Sequence, residues 1–313
     1  MIDVIQDGDH GVDDALATLL LAAHPDVRIA AVGSVHGNTG AESAAANAIQ
    51  VLDVAGLTAV PVAVGARRPL AQPVHLSTLV HGEDGLGGAA QTPDRRPVDA
   101  SAAEQLVRLA RAEPGRYTLV ATGPLTNVAL ALLLEPALPR LLDRIVVMGG
   151  ALDVPGNITP VAEANIAHDP EAADLVLTCG ADVTLVPLDT TMATWLGRTE
   201  LARIAAASDP RARFATRILA HYLDFYAAHG RDGCPLHDES AAALTVSPGL
   251  GRYVEVPLRV ELRGADTRGM LVADRRVGAT PDTPPVRVAT GADRDGVVDL
   301  LLAGLLDRDA PCG

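Results

Sequence analysis

Residues 2–23 read Ile2-Asp3-Val4-Ile5-Gln6-Asp7-Gly8-Asp9-His10-Gly11-Val12-Asp13-Asp14-Ala15-Leu16-Ala17-Thr18-Leu19-Leu20-Leu21-Ala22-Ala23. A short apolar run, Val4–Gln6, gives way across an acidic, glycine-bearing stretch to a second apolar run, Ala15–Ala23. That pattern predicts a strand, a tight turn and a buried helix. The rhythm recurs downstream. Arg28–Ser34 reads as a strand and Glu42–Ala55 as a helix. Val60–Val64, Tyr117–Ala121, Arg144–Met148 and Val183–Leu188 are further β-rich runs. Helices are expected between them at Ala102–Ala112, Asn127–Leu134 and Glu171–Leu177. Runs of Val, Ile and Leu that do not alternate with polar residues belong to strands covered on both faces. The expected fold is therefore α/β, a mainly parallel central sheet flanked by helices. In open sheets of this kind ligands bind beyond the carboxyl ends of the strands.

Two stretches break the rhythm. Ala66–Ala100 is rich in Gly, Pro and His and is long for a connection, a length that often accompanies function. Ala207–Pro235 is a helical segment carrying Tyr222, Phe225, Tyr226 and His229. A β-rich tail follows (Tyr253–Leu262, Thr267–Val272), then a final helix near Arg294–Leu306. No repeat or clear linker interrupts the sequence, which predicts one domain over residues 1–313.

Composition narrows the function. Acidic residues outnumber basic ones by 39 to 25, a formal charge of −14, which repels nucleic-acid backbones and anionic membranes. Every basic residue is arginine. Lysine Schiff-base chemistry and the P-loop lysine are therefore excluded. Cys179, Cys234 and Cys312 are odd in number and widely spaced, with no disulfide framework or zinc spacing, so a cytoplasmic location is expected. The N-terminus has no basic segment of a signal peptide. The uncharged run Tyr117–Leu134 approaches membrane length, but Gly123-Pro124 and Thr126-Asn127 divide it into strand, turn and helix.

Asp7-Gly8-Asp9-His10-Gly11-Val12-Asp13-Asp14 places four carboxylates within eight residues. Capping of the helix N-terminus accounts for one or two of them. Four at the end of a buried strand would repel unless protons or a cation lay among them, and carboxylate oxygens suit calcium or magnesium. Pro235-Leu236-His237-Asp238-Glu239 supplies a distant acidic group that such an ion would want. Gly149-Gly150 through Asn157, Glu163 and Asn165 is either a polar turn or a set of partners for sugar hydroxyls. At Thr122-Gly123-Pro124, proline cannot continue a ladder, which can leave a carbonyl free.

Together these pieces resemble the inosine-uridine nucleoside hydrolase family, in the family's order and over nearly the full chain. The acidic N-terminal motif is joined by His36-Gly37-Asn38-Thr39, by Asn47 and by His81-Gly82-Glu83-Asp84-Gly85-Leu86. Ala121-Thr122-Gly123-Pro124-Leu125-Thr126-Asn127, Met148-Gly149-Gly150, Cys234-Pro235-Leu236-His237-Asp238 and Thr267-Arg268-Gly269 complete the match. The resemblance implies a Rossmann-like nucleoside hydrolase fold. It also implies a calcium ion (Ca2+) held by Asp9, Asp14, Asp238 and the backbone carbonyl of Thr122. Asp13 and Asn165 would bind the ribose 2′- and 3′-hydroxyls, with Asn38 and Met148 nearby, and Asn157 and Glu163 would hold the 5′-hydroxyl. Asp7 would orient the cluster from behind.

The implied reaction is hydrolysis of the N-glycosidic bond of a ribonucleoside to ribose and a free base, with Asp9 activating a metal-bound water. His237 is the candidate acid for the leaving base and His81 its relay; loop or core structure is the alternative for each. Tyr222 and Tyr226 are candidates for stacking on the base. Three departures bear on base preference and the turn: His10 stands where a proline is common, which would loosen the turn; Ala164 stands where many members have Phe; and Met148–Asn157 is one residue longer than in some. The implied assembly is a homodimer or homotetramer, with no nucleic-acid or membrane partner. Two other readings remain. A haloacid-dehalogenase-like magnesium phosphatase would also place Asp-x-Asp after the first strand, and a nucleoside-binding protein could lack activity.

Overall fold

The computed structural model describes residues 1–278 and 280–306; Cys312 lies outside them. Eleven strands are found among these residues: β1 (Ile2–Gly8), β2 (Val27–Ser34), β3 (Val62–Val64), β4 (Tyr117–Ala121), β5 (Arg144–Met148), β6 (Val183–Val186), β7 (Trp195–Leu196), β8 (Cys234–Pro235), β9 (Gly251–Val260), β10 (Leu271–Ala273) and β11 (Pro285–Ala292). Nine form one sheet in the order β10-β9-β11-β6-β5-β4-β1-β2-β3. From β3 to β11 every pair is parallel; β11–β9 and β9–β10 are antiparallel. The expected mainly parallel sheet with flanking helices is what the chain forms.

The order β3-β2-β1-β4-β5-β6 is that of a doubly wound sheet, in which the direction of winding reverses between β1 and β4. A crevice opens at the carboxyl ends of those two strands. The acidic motif leaves β1 at that point, and Thr122 leaves β4 beside it, its amide donating to the Asp7 carbonyl at 2.8 Å.

The helix Val12–Ala23 is apolar almost all round because it is covered on all sides: Leu16, Leu19, Leu20 and Leu21 are fully buried. Each such side chain contributes about 1.5–3 kcal/mol relative to exposure. The helix packs against His237–Val246, whose Ala242 and Ala243 share its core cluster, and against Arg294–Leu305. Small alanines allow close approach. This contact brings the first turn of the N-terminal helix beside that of a helix more than 200 residues later.

The sequence reading falls short in the C-terminal third. No strand is expected between Val272 and Arg294, yet Val286 and Val288 are buried and β11 adds to β6. Thr267–Met270, expected to be β-rich, is a turn preceding β10, with the Met270 amide donating to the Thr267 carbonyl at 2.9 Å. The segment Ala207–Pro235 is helical over Pro210–Ala228. Val60 and Pro61 precede β3, and Leu188 begins a short helix, Leu188–Thr191, beyond β6. Among the described residues no helix is long and apolar enough to cross a membrane.

Candidate active site

Beyond β1 the chain turns at His10, whose φ of 43° is closed to proline. Two contacts hold this turn. His10 Nε2 lies 3.0 Å from the Gly33 carbonyl and Asn47 Nδ2 donates to the His10 carbonyl at 3.1 Å. Gly11 follows where a larger residue would displace its neighbours: a Cβ there would come within 2.5 Å of Asn38 Nδ2 and 2.6 Å of His81 Nδ1. The turn thus delivers Asp13 and Asp14 to the positive end of a helix, where carboxylates are favoured.

The carboxylates are held by neutral donors. Asp14 Oδ1 accepts from Thr122 Oγ1 at 2.6 Å and Oδ2 from the Gly11 amide at 2.8 Å. Asp9 accepts twice from Asn38, from its amide at 2.7 Å and its Nδ2 at 3.0 Å. Asp238 enters from the first turn of His237–Val246. Ligand oxygens of Asp13, Asp14 and Asp238 all lie within 4.8 Å of one another, and all three residues are buried. Burial pushes the carboxyl pKa values of Asp9 and Asp238 well above the ordinary range, and repulsion from neighbouring aspartates adds to it. Burial likewise pushes Asp7 up to about 7, opposed by the bond it accepts from Asn127 Nδ2 at 2.8 Å. Buried, converging, all-oxygen donors of this kind fit a hard divalent cation, which would relieve the repulsion. The converging trio contains Asp13, which the resemblance gives to ribose. Asp9 stands beside it, gripped by Asn38.

The Thr122 carbonyl is not free at the strand end. It accepts from Asn165 Nδ2 at 3.1 Å, and the same nitrogen lies 3.2 Å from the Met148 carbonyl, so one side-chain amide clasps the ends of β4 and β5. A carbonyl has a second lone pair, which leaves Thr122 able to ligate. Glu163 caps the helix Ala164–His168: Oε1 accepts from the Asn165 amide at 2.9 Å, and Oε2 from the amides of Gly150 at 2.8 Å and Ile166 at 3.2 Å. Burial raises its pKa against the pull of those amides. Asn157 Oδ1 accepts from the Ala164 amide at 2.9 Å, tying the polar loop to the same helix.

A cavity of about 560 Å³ opens here. Asp13, Asn38, His81, Thr122, Met148, Asn157, Glu163, Asn165, Tyr222, Tyr226, His237 and Asp238 all line it. Asp7, Asp9 and Asp14 do not. Its outer wall is apolar and aromatic, with Leu79, Ile158, Met192 and Phe225. His237 Nδ1 lies 2.8 Å from Thr191 Oγ1, and burial pushes its pKa down to about 4, so the ring is neutral at pH 7. His81 Nδ1 accepts the Val12 amide at 3.1 Å, and its ring lies 5.3 Å from that of Tyr222, which meets Tyr226 edge-on at 5.1 Å. A second hollow of about 540 Å³, lined by Val107, Arg108, Arg111 and Leu134, carries none of the converging carboxylates.

Sequence reasoning gave no role to Asn127 or Thr191. Asn127 binds Asp7, donates to the Ser34 carbonyl at 2.8 Å and accepts the Ala66 amide at 2.7 Å. It ends the Ala121–Asn127 motif, but only its partners reveal its task. Thr191 had no signal, because nothing near it in sequence marks a histidine 46 residues away.

Residues 4–299 match the family model described as inosine-uridine preferring nucleoside hydrolase. The chain is 36% identical over 314 residues to a probable uridine nucleosidase 2 of Arabidopsis thaliana, covering 97% of each. It is 38% identical over 303 residues to the pyrimidine-specific ribonucleoside hydrolase RihA of Enterobacter sp. (strain 638), covering 96% of each. Its fold superposes on a solved plant nucleoside hydrolase, the PpNRh1 enzyme, with a TM-score of 0.92 and 32% identity over 98% of this chain and 99% of that one.

Proposed function

Because the chain belongs to the inosine-uridine preferring nucleoside hydrolase family and is by that membership a ribonucleoside hydrolase, we propose that it splits ribonucleosides in a calcium-dependent reaction through the residues gathered above. The observation that carries this reading is the convergence of Asp13, Asp14 and Asp238 from opposite ends of the chain, with Asp13 and Asp238 lining the same cavity as Asn165 and Glu163.

Asp9, Asp14, Asp238 and the Thr122 carbonyl are the residues that would hold the ion. When bound, calcium supplies a Lewis acid that orients a water, makes it easier to deprotonate and anchors the ribose diol. The remaining work belongs to the chain. Asp13 and Asn165, with Asn38 beside them, orient the 2′- and 3′-hydroxyls. Glu163 retains an acceptor lone pair for the 5′-hydroxyl, and Asn157 fixes the loop that covers it. As the C1′–N bond breaks, C1′ becomes oxocarbenium-like, and the surrounding carboxylates stabilise that positive charge. The attacking water bonds to C1′ and its proton passes to Asp9. Asn38 keeps the Asp9 carboxylate in one orientation for this transfer.

The leaving nitrogen gains negative charge and needs a donor. When the Thr191 hydroxyl donates to Nδ1, the neutral His237 ring carries its proton on Nε2. Its contribution is then a hydrogen bond that strengthens as the base departs, with His81 beside it. Tyr222 and Tyr226 supply flat apolar surface for the base.

The test is a panel of ribonucleosides, beginning with uridine, assayed for reducing-sugar release, with metal analysis on the same sample. Release that is lost with chelator and restored by calcium is expected. No release from any ribonucleoside by calcium-loaded protein overturns the reading. Phosphate release from a phosphomonoester in its place would favour the phosphatase chemistry.

A further inference from the structure

The short helix Ala164–His168 holds two sides of the cavity, one at each end. At its start, Glu163 and Asn165 face the sugar side. At its finish it receives the long connection that follows β3. Gln72 Nε2 donates to the carbonyls of Ala167 at 2.8 Å and His168 at 3.0 Å. Ser77 Oγ lies 3.3 Å from His168 Nε2, and the Leu70 amide donates to Asp169 Oδ2 at 3.0 Å. The connection then runs directly into the cavity wall at His75–His81.

Arg268, which the function above does not use, closes this arrangement from outside the cavity. Its Nε donates to Gln72 Oε1 at 3.0 Å. Its Nη2 reaches both oxygens of Glu171, at 2.8 and 2.6 Å, and Nη1 donates to the Leu262 carbonyl at 2.5 Å. Glu171 lies in Pro170–Leu177, the helix that follows Ala164–His168 across Asp169. A planar guanidinium can serve three directions at once, whereas an ammonium on a flexible stem is a point charge. The next residue, Gly269, has φ +83°, and a Cβ on it would come within 3.1 Å of Ala162 Cβ and 3.3 Å of Ala167 Cα, on either side of Glu163 and Asn165.

We infer that Arg268 is a positioning residue that locks Ala164–His168 and the 70–81 wall into one unit, so that the sugar-holding and base-facing sides of the cavity keep a fixed register. The inference rests on the ribonucleoside reading of the cavity. An isolated, partly exposed ion pair would contribute little; this one spans the wall, the helix after Asp169 and the chain just beyond β9 at Leu262.

The experiment compares Arg268→Ala and Arg268→Lys with Arg111→Ala, an exposed ion-pair control remote from the cavity. Three readouts are taken: amide hydrogen exchange of peptides covering 70–81 and 164–168, melting temperature, and kcat and KM on uridine and 5′-deoxyuridine. For Arg268→Ala, exchange is expected to rise about tenfold in both segments together. KM for uridine should rise about tenfold while kcat changes less than about threefold. The preference for uridine over 5′-deoxyuridine should shrink, because Glu163 is displaced. Arg268→Lys should recover part of each effect and Arg111→Ala should show none; should the alanine variant not fold, Arg268→Lys carries the same measurements. A lower melting temperature with KM, 5′-hydroxyl preference and exchange of both segments unchanged overturns the inference. Wild-type protein that releases no base brings down the ribonucleoside reading instead, and the paired exchange data still decide whether Arg268 couples the two segments.

Discussion

The backbone N–H of Val12 donates to Nδ1 of His81 at 3.1 Å, across 69 residues of chain. A ring nitrogen that accepts cannot carry the proton, so neutral His81 is the Nε2–H tautomer. One bond therefore sets the proton position of a cavity residue and docks its loop on the acidic turn.

His81→Asn is expected to preserve that docking, because the amide oxygen can take the place of Nδ1, while losing the Nε2 donor. KM should change less than about threefold and kcat should fall about tenfold or more, whereas His81→Ala should damage both. Steady-state kinetics on uridine separate the two. Equal kinetics for the Asn variant and wild type would remove His81 from the chemistry.

The repulsion among the buried aspartates gives Asp238→Asn opposite effects on stability and activity. In chelator the variant should melt higher than wild type, because a buried like charge has gone. With calcium the order should reverse, since only wild type gains the full stabilisation of a bound ion. Activity should fall about a thousandfold or more. Calorimetry with and without calcium, followed by turnover assays, checks all three.

Gly11→Ala places a methyl carbon within 2.6 Å of both Asn38 and His81. Those two side chains, which hold Asp9 and Val12, have to move. The expected result is a folded protein with kcat/KM reduced about a hundredfold, since small misplacements of positioning groups cost that much. Far-UV and near-UV circular dichroism confirm folding, and unchanged kinetics would mean that the turn tolerates the displacement.

His36 and His168 set a stability limit in acid. Burial pushes each pKa down to about 4 from an ordinary 6.5. The folded state then binds fewer protons than the unfolded chain between those values, so stability is complete above about pH 6.5 and is lost as pH falls towards 4, by up to about 3 kcal/mol per histidine. Asp7, raised to about 7, acts in the opposite sense. The difference between wild type and the double variant His36→Asn/His168→Asn isolates the histidines: urea unfolding at pH 7.5 and 4.5 should show a smaller loss in the variant. Equal losses would contradict the assignment.

What the sequence determined by itself was whatever short-range pattern can encode. The apolar runs and their spacing specified a parallel sheet between helices, because burial on both faces leaves a local signature from β1 to β6. The acidic octet from Asp7 to Asp14 and the distant His237-Asp238 marked the site through their chemistry alone. β11 escaped, because a strand completed by its neighbours needs little local pattern and two prolines concealed its start. Tertiary structure decided the rest. The Val12–Ala23 and His237–Val246 helices pack together, and only that contact sets Asp238 beside Asp13 and Asp14. Asn165 clasps two strand ends, Asn127 steadies Asp7 and Thr191 meets His237, each through a bond between residues that share no sequence neighbourhood. Composition and spacing show which groups are present; the packing of apolar faces far from them fixes which groups meet.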